Sequence, residues 1–249
     1  MSGPISHHNP NDGESPAPTE EATADQKAQM EQAYAQMRRK LRMTRLAEDI
    51  GHKIMVLSGK GGVGKSTVAT GLALSLARQG KKVGILDIDI TGPNIPKMLG
   101  IEETELHVED SQIHPADGPN GLKVMSMAFL LEDPDKPVIW RGPMLHKALE
   151  QFLTDVYWES LDYLLVDLPP GTGDIALSLA QFLPRSELYV VTTPQPAAQR
   201  VAQRAAFMAK NVNLEVKGVI ENMSIFIPQD SPDKKYYLFG SGGGRILSE

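Results

Sequence analysis

The chain has 249 residues, of which 41% are hydrophobic and 22% charged, and its formal net charge is −6. This length and composition are typical of one α/β domain with a sizeable core, and the negative charge argues against nucleic-acid binding through a broad basic surface. The sequence contains no cysteine, which excludes disulfides, a cysteine nucleophile and any iron–sulfur or zinc site built on this chain's own thiolates.

Two further observations concern membranes and targeting. No apolar run reaches the roughly 18 residues that a transmembrane helix requires. The N-terminus lacks the charged-then-apolar pattern of a secretory signal. The sequence therefore predicts a cytoplasmic protein without a membrane segment.

The first 26 residues are rich in Pro, Gly, Ser, Asp and Glu and almost free of large apolar groups. Such a segment cannot bury enough surface to offset its ordering entropy, so residues 1–26 are predicted to be a disordered tail. His7 and His8 are adjacent in this tail, where a histidine pair is more often solvated than bound to a metal.

A helix is predicted next, over residues 27–48, and the N-terminal helical segment is assigned to 27–50. Met30, Tyr34, Met37 and Leu41 follow the spacing of one apolar helix stripe. Residues 38–45 are strongly basic. This face is either solvated, on a helix that packs against the domain, or a contact for an anionic partner or a membrane surface.

Residues 51–249 carry an alternating pattern of apolar runs and helical segments, typical of a doubly wound, mostly parallel α/β sheet. The predicted strands are 53–58, 81–89, 122–127, 162–168, 187–193 and 215–223. The predicted helices are 65–79, 143–158, 174–183 and 196–211.

The stretch SGKGGVGKST, residues 58–67, contains the P-loop pattern between a predicted strand and a predicted helix. Its backbone N–H groups and the helix N-terminus are suited to hold nucleotide phosphates. The predicted cradle consists of Gly59, Gly61, Gly62, Val63 and Gly64. Lys65 should bridge the β- and γ-phosphates, Ser66 should bind Mg²⁺, and Thr67 should contact the α-phosphate.

Three aspartates follow apolar strands of the predicted sheet. Asp167 ends one run, as a Walker B aspartate does, while Asp87 and Asp89 end another. Ligands bind at the carboxyl ends of strands in such sheets, so Asp87 and Asp167 are predicted near the metal. The alternative for any one of them is a helix cap or a turn residue.

The residues GKGGVGKST resemble the deviant Walker A motif of the MinD, ParA and nitrogenase iron protein class. The resemblance implies that Lys60 reaches the nucleotide of a second subunit, so that the protein works as a nucleotide-sandwiched homodimer, and that Asp89 positions the attacking water. The alternative is that Lys60 faces solvent or its own phosphates. No guanine-reading Asn-Lys-x-Asp element is present, which favours ATP, and in related ATPases an Asn at the position of Asn222 reads the adenine edge.

Further motifs resemble the Mrp/ApbC family of P-loop ATPases, over about residues 52–245. They are DITGPNIP (89–96), IWRGPM (139–144), DYLLVDLPPGTGD (162–174), ENMS (221–224) and FGSGGG (239–244). The resemblance implies ATP hydrolysis by a homodimer that passes iron–sulfur clusters to apo-proteins or receives them from scaffold proteins.

The sequence departs from this family in two places. The family's Cys-x-x-Cys after ENMS falls on about Pro228 and Ser231, neither of which is a credible iron ligand, so a bound cluster is doubtful. The chain ends soon after FGSGGG, where the family continues through another helix and strand, so the C-terminal end is expected to be short.

Two other functions remain open from the sequence. One is a MinD/ParA-like positioning or regulatory switch without a cluster, which would dock through the basic helix. The other is a metabolic kinase or ligase on the same fold. The latter needs its own substrate groups, but His107, His114 and His146 are scattered and lack metal-ligand spacing.

Overall fold

The computed structural model describes residues 24–90, 92–109, 112–130, 142–171, 174–195, 203, 204, 207, 209, 214–242 and 244. The tail prediction for residues 1–23, the Ile139–Arg141 part of the IWRGPM motif and most of the predicted helix 196–211 lie outside these residues. The chain divides into two compact units, Met1–Arg38 and Arg39–Glu249.

The first helix, α1, spans Ala24–Asp49. It begins three residues before its predicted start, so residues 24–26 belong to the helix. The predicted apolar stripe from Met30 to Leu41 is exposed, with side chains 51–68% accessible. The part of α1 in the second unit packs instead through buried Leu46 and through two ion pairs. These pairs join Arg39 to Glu150 at 3.2 Å and Arg42 to Asp155 at 3.5 Å.

The described residues of the second unit contain nine strands. They are β1 Ile50–Ser58, β2 Val83–Asp87, β3 His107–Glu109, β4 Gln112–His114, β5 Ala116–Asp117, β6 Lys123–Ser126, β7 Leu161–Asp167, β8 Glu187–Thr192 and β9 Glu215–Glu221. Seven form one sheet in the order β5-β6-β2-β7-β1-β8-β9, and β3 pairs with β4 separately. All neighbours in the large sheet are parallel except β5 and β6. The six predicted strands and the mostly parallel sheet are confirmed.

In the part of the chain that the structure describes, four further α-helices have assigned bounds: α2 Lys65–Arg78, α3 Ile95–Leu99, α4 Gly142–Thr154 and α5 Asp174–Phe182. Three of them confirm predicted helices, although α4 ends four residues before its predicted end. The short α3 was not predicted. Within the described part of the chain, no helix combines the length and apolar character needed to cross a membrane.

Helices cover both faces of the sheet because its strands are apolar on both sides. In β1, Met55 and Leu57 join a core that contains Phe152 of α4 and Leu179 of α5. The alternate residues of β1, Ile54 and Val56, join a second core that contains the alanines of α2. This arrangement places the loops after β1, β2 and β7 at one edge of the sheet.

Candidate functional site

The loop between β1 and α2 has a backbone shape that requires glycine. Gly62 has φ 77° and Gly64 has φ 84°, both in the left-handed region. A Cβ atom at Gly64 would also clash with Nδ2 of Asn222. Gly64 stands at the N-cap of α2 with no side-chain cap, so the first N–H groups of the helix are available to an anion.

Two side chains brace this loop from outside. Ser58 donates its hydroxyl proton to the carbonyl oxygen of Lys60 at 3.0 Å. Asn222, just after β9, donates from Nδ2 to the carbonyl oxygen of Val63 at 2.9 Å. The amide that was expected to read adenine therefore contacts the P-loop backbone in this structure.

A compact polar cluster lies at the start of α2. Nζ of Lys65 is 2.7 Å from Oδ1 of Asp167 and 3.4 Å from Oδ2 of Asp89. Ser66 donates its hydroxyl proton to the other carboxylate oxygen of Asp167 at 2.5 Å. These four residues were predicted from the sequence to share one site, and the structure brings them together. A hydroxyl beside a carboxylate offers the oxygen ligands that Mg²⁺ prefers.

Asp87 lies in the neighbouring strand and is fully buried. The register pairs it with Asp167 on one side and with Ser126 on the other. Its carboxylate accepts hydrogen bonds from the backbone N–H of Asp89 at 3.1 Å, the N–H of Ile95 at 3.2 Å and the hydroxyl of Ser126 at 3.0 Å. These contacts hold the loop between β2 and α3, and the metal role predicted for Asp87 stays a prediction.

The pKa values of the two neighbouring carboxyl groups are both raised. Burial, and then the charge of Asp167, raise the pKa of Asp87 to about 7. Burial also raises the pKa of Asp167, although Lys65 and Ser66 oppose that shift. Two acidic groups side by side without solvent favour a nearby cation, and Lys65 provides one charge to Asp167.

An open cleft of about 610 Å³ lies over this cluster. It is lined by Ser58, Gly61, Gly62, Gly64, Lys65, Ser66, Thr67, Asp89, Gly92, Asn94, Lys97, Met98 and Pro170. The P-loop, Asp89 and α3 thus share one cavity, large enough for a small-molecule ligand. Asp87 and Asn222 are not among its lining residues.

Lys60 contacts a residue of its own chain. Its Nζ donates to Oε1 of Gln195, just beyond β8, at 2.9 Å. The predicted contact with a second subunit is not tested by a single chain. In the single chain this side chain has a polar partner in its own subunit.

Sequence analysis missed several residues of this region. Ser126 and Gln195 bind predicted site residues only because distant strands are adjacent in the sheet, so no local motif identifies them. Asn94, which precedes the short α3, and Lys97 and Met98 within α3 line the cleft, and α3 begins within the DITGPNIP motif. That motif was the available signal.

The segment after Asn222 forms an exposed hairpin in which Phe226 and Tyr236 exchange two backbone hydrogen bonds, of 2.8 and 2.9 Å. The two positions expected to align with cysteines lie in its turn, where the N–H of Ser231 donates to the carbonyl oxygen of Pro228 at 3.3 Å. Neither provides a thiolate. The hairpin and its flanks expose a set of large apolar side chains: Met223, Ile225, Phe226, Ile227, Tyr236, Tyr237, Leu238 and Phe239.

Comparison with known sequences identifies relatives over most of the chain. Residues 49–249 match the family described as ParA: NUBPL iron-transfer P-loop NTPase. An iron-sulfur cluster carrier protein of Saccharolobus solfataricus is 48% identical over 204 residues, covering 81% of this chain and 68% of the relative. One of Synechocystis is 51% identical over 199 residues, covering 79% of this chain and 56% of the relative. The chain thus spans about half to two thirds of the length of these curated relatives.

Comparison with solved structures gives the same fold. A nucleotide-binding protein from Archaeoglobus fulgidus, solved in complex with ADP, is 40% identical with a TM-score of 0.72, covering 83% of this chain and 80% of that one. The cell-division ATPase MinD of Pyrococcus furiosus is 23% identical with a TM-score of 0.52 over 80% of each chain. The second likeness concerns the fold alone.

Proposed function

Because this chain belongs to the NUBPL iron-transfer P-loop NTPase family, we propose that it is a cytoplasmic ATPase that passes iron–sulfur clusters to apo-proteins. It works as a homodimer with nucleotide between the subunits. The relatives named iron-sulfur cluster carrier protein support the cargo, and the lack of a guanine-reading element supports ATP.

The cluster of Lys65, Ser66 and Asp167 is the observation that carries the ATPase proposal. Lys65 is only 6% exposed and is fixed at 2.7 Å from Asp167. When a triphosphate enters the cleft, Lys65 can exchange this carboxylate for the β- and γ-phosphate oxygens. The P-loop N–H groups and the start of α2 then hold the remaining phosphate charge.

The residues present suit a magnesium ion. Ser66 and Asp167 would hold it, directly or through water, and Asp87 would add negative charge behind them. When bound, the ion neutralises charge on the phosphate oxygens. Asp89 lines the cleft, 3.4 Å from Lys65, and its proposed role is to orient an attacking water at the γ-phosphate.

Lys60 is the residue that we assign to the second subunit. In a single chain it donates to Gln195, which is an uncharged and therefore exchangeable partner. A lysine delivered across an interface stabilises the developing phosphoryl charge as an arginine finger does. Homodimer formation would thus couple nucleotide state to assembly.

The cargo cannot be held by this chain's own thiolates because the sequence has none. Thiolates from the recipient, from a scaffold protein or from a small thiol must supply the cluster ligands. The exposed apolar hairpin supports protein partners, since surfaces of this kind mark interaction sites. It begins at Asn222, which contacts the P-loop, so a partner bound there would sense the nucleotide loop.

Two assays test this proposal. Phosphate release from Mg·ATP should be measurable for the full chain and lost in Lys65→Ala. Anaerobic incubation with ferric and ferrous iron and sulfide should give a cluster spectrum only when a thiol such as glutathione is added. ATP hydrolysis without any cluster, whatever thiol is present, would favour the MinD/ParA-like switch over the carrier.

A further inference from the structure

A second cleft, of about 780 Å³, lies at the edge of the sheet opposite the P-loop. Its walls are the last turns of α1, the first residues of β1 and the turn from α5 into β8. The P-loop follows the other end of β1, and none of the residues that line this second cleft lines the nucleotide cleft. The two cavities are therefore separate sites on the second unit.

Three cationic side chains line the second cleft: Lys40, Lys53 and Arg185. In the described part of the chain, none of them forms an ion pair with a carboxylate. Glu187, one of the two carboxylates in the lining, lies instead 3.3 Å from Nδ1 of His52. Three cations therefore face two carboxylates, one of which already has a partner of its own.

Lys53 is the buried member of this trio. It is 7% exposed, and its Nζ donates to the carbonyl oxygens of Ala47 at 2.6 Å and Ile50 at 3.2 Å. An ammonium group has three donors, so one remains after these two bonds. Burial, and then the charge of Arg185, lower the pKa of Lys53, which means that its charged neighbour is a second cation. An anion beside both would offset the cost of placing the ammonium there.

Arg185 has an unusual backbone conformation. Its φ is 62°, in the left-handed region that residues with a side chain rarely adopt. The next residue, Ser186, is buried and donates its hydroxyl proton to the carbonyl oxygen of Leu183 at 2.6 Å, which fixes the turn. Backbone outliers of this kind are concentrated at ligand sites. The turn therefore holds Arg185 in the wall of the cleft.

Apolar groups complete the lining of the second cleft. Met43, Phe182 and Pro184 lie among the cations, so a ligand can bury an apolar group beside its charge. We propose that the second cleft binds a small molecule in which a phosphate monoester is joined to an apolar group. A dianionic monoester suits two neighbouring cations, and its oxygens suit the planar donors of an arginine. The remaining carboxylate of the lining, Glu48, is exposed, where water and salt screen its charge.

Methionine methyl groups report binding at each cleft separately. Met43 lines the second cleft and Met98 lines the nucleotide cleft. The full chain is isotope-labelled at its methionine methyl groups for NMR, and the two signals are assigned with Met43→Leu and Met98→Leu. Phenyl phosphate is then titrated at about pH 8, where a monoester is almost fully dianionic. Benzoate, which carries a carboxylate on the same ring, is the matched control probe.

Phenyl phosphate should shift the Met43 signal saturably and should bind more tightly than benzoate. Its affinity at Met43 should fall about tenfold in Arg185→Gln, which loses one charge-assisted contact, and also in Lys53→Met. Arg78→Gln, the same substitution at the exposed end of α2, should leave the affinity unchanged. Shifts at Met98 alone, or tighter binding of benzoate, would overturn the proposal. Equal affinity in the wild type and in a folded Arg185→Gln would overturn it as well.

Vesicles separate the two sources of such a group, because the monoester can belong to a free metabolite or to the head group of phosphatidic acid. Sedimentation with phosphatidylcholine vesicles, with and without phosphatidic acid, is compared for the wild type and Arg185→Gln. Sedimentation that requires both phosphatidic acid and Arg185 assigns the site to a lipid head group. Binding of phenyl phosphate without such sedimentation assigns it to a free phosphate ester.

Discussion

At the residue scale, the two lysines of the P-loop have different partners, charged for one and neutral for the other. Lys65 contacts two carboxylates within 3.4 Å, whereas Lys60 contacts the neutral amide of Gln195. A lysine held by carboxylates is suited to stay in its own subunit and meet phosphate there. A lysine held by an amide loses less when it leaves for another subunit.

The two lysines form a matched pair for mutation. Lys65→Ala should abolish ATP binding, because it removes the cation that meets the phosphates. Lys60→Ala should leave the ATP dissociation constant of the single chain nearly unchanged but lower turnover about 10³-fold. Calorimetry and phosphate release measure the two effects. Equal loss of binding in both variants would mean that Lys60 serves its own nucleotide.

Asp87, a predicted metal ligand, also stabilises the fold through its hydrogen bonds. Its carboxylate satisfies two backbone N–H groups and the Ser126 hydroxyl. Asp87→Ala should lower the free energy of unfolding by about 3 kcal/mol, because it leaves several buried donors unsatisfied. Ser126→Ala, which removes one of these bonds, should cost about 1 kcal/mol. Chemical denaturation checks both, and equal losses in the two variants would refute this role for Asp87.

At the element scale, five of the six strands that the sequence predicted are largely buried, whereas the predicted β9 contains no buried residue. The β7 residues Leu164, Leu165 and Val166 are fully buried. Such apolar runs can be recognised in a sequence without knowledge of the fold. Strands β3 to β5 contain two or three residues each and are set by pairing rather than by apolar pattern. The α1 stripe correctly predicted a helix, but its side chains are exposed.

Asn222 links β9 to the P-loop, and its amide can either brace the P-loop or read the adenine base. Substituting Asn222 distinguishes these two roles. If its amide braces Val63, Asn222→Ala should weaken ATP and GTP binding equally, by about fivefold for a loss of about 1 kcal/mol. If it reads adenine, the variant should lose ATP affinity and keep its weaker affinity for GTP. Competition titrations with both nucleotides decide, and Ser224→Ala, which alters a neighbouring contact to Glu221, is the control.

The end of α1 is capped by a buried lysine. Lys53 is 7% exposed and donates from Nζ to the carbonyl oxygens of Ala47 at 2.6 Å and Ile50 at 3.2 Å. Burial, and then the charge of Arg185, lower the pKa of Lys53 below 10.5. The unfolded chain therefore binds this proton more tightly than the folded chain does.

This difference predicts a pH dependence. Between the lowered pKa of Lys53 and its ordinary value of 10.5, the free energy of unfolding should gain a component that rises with pH. Lys53→Met should lack that component, because it removes the titrating group and keeps an apolar stem. Urea denaturation over alkaline pH measures both chains. Parallel pH profiles for the two would contradict the assignment to Lys53.

At the scale of the whole molecule, the sequence predicted the doubly wound sheet, the P-loop and the position of Asp167. These features could be predicted because the strands follow from local apolar patterns. The P-loop follows from a motif whose glycines adopt one characteristic backbone conformation. Partners that depend on strand order could not be predicted. Ser126 reaches Asp87, and His107 meets His114, only because β6 lies beside β2 and β4 folds back on β3.

The whole-molecule proposal joins a nucleotide-driven ATPase to a cargo that this cysteine-free chain cannot hold alone. Its two halves make separate demands. The nucleotide site needs only residues that the structure has brought together, with a second copy for Lys60. The cargo needs thiolates from elsewhere, so the proposed transfer requires the recipient, a scaffold protein or a small thiol to supply them.

The most direct measurement is therefore the rate of cluster transfer from a thiol-bound donor to an apo-ferredoxin, followed anaerobically by absorbance in the presence of the full chain. The account predicts that transfer is faster with Mg·ATP than with ADP, and that Lys65→Ala gives only the rate seen without the protein. A wild-type chain that hydrolyses ATP yet leaves the transfer rate unchanged would contradict the carrier function.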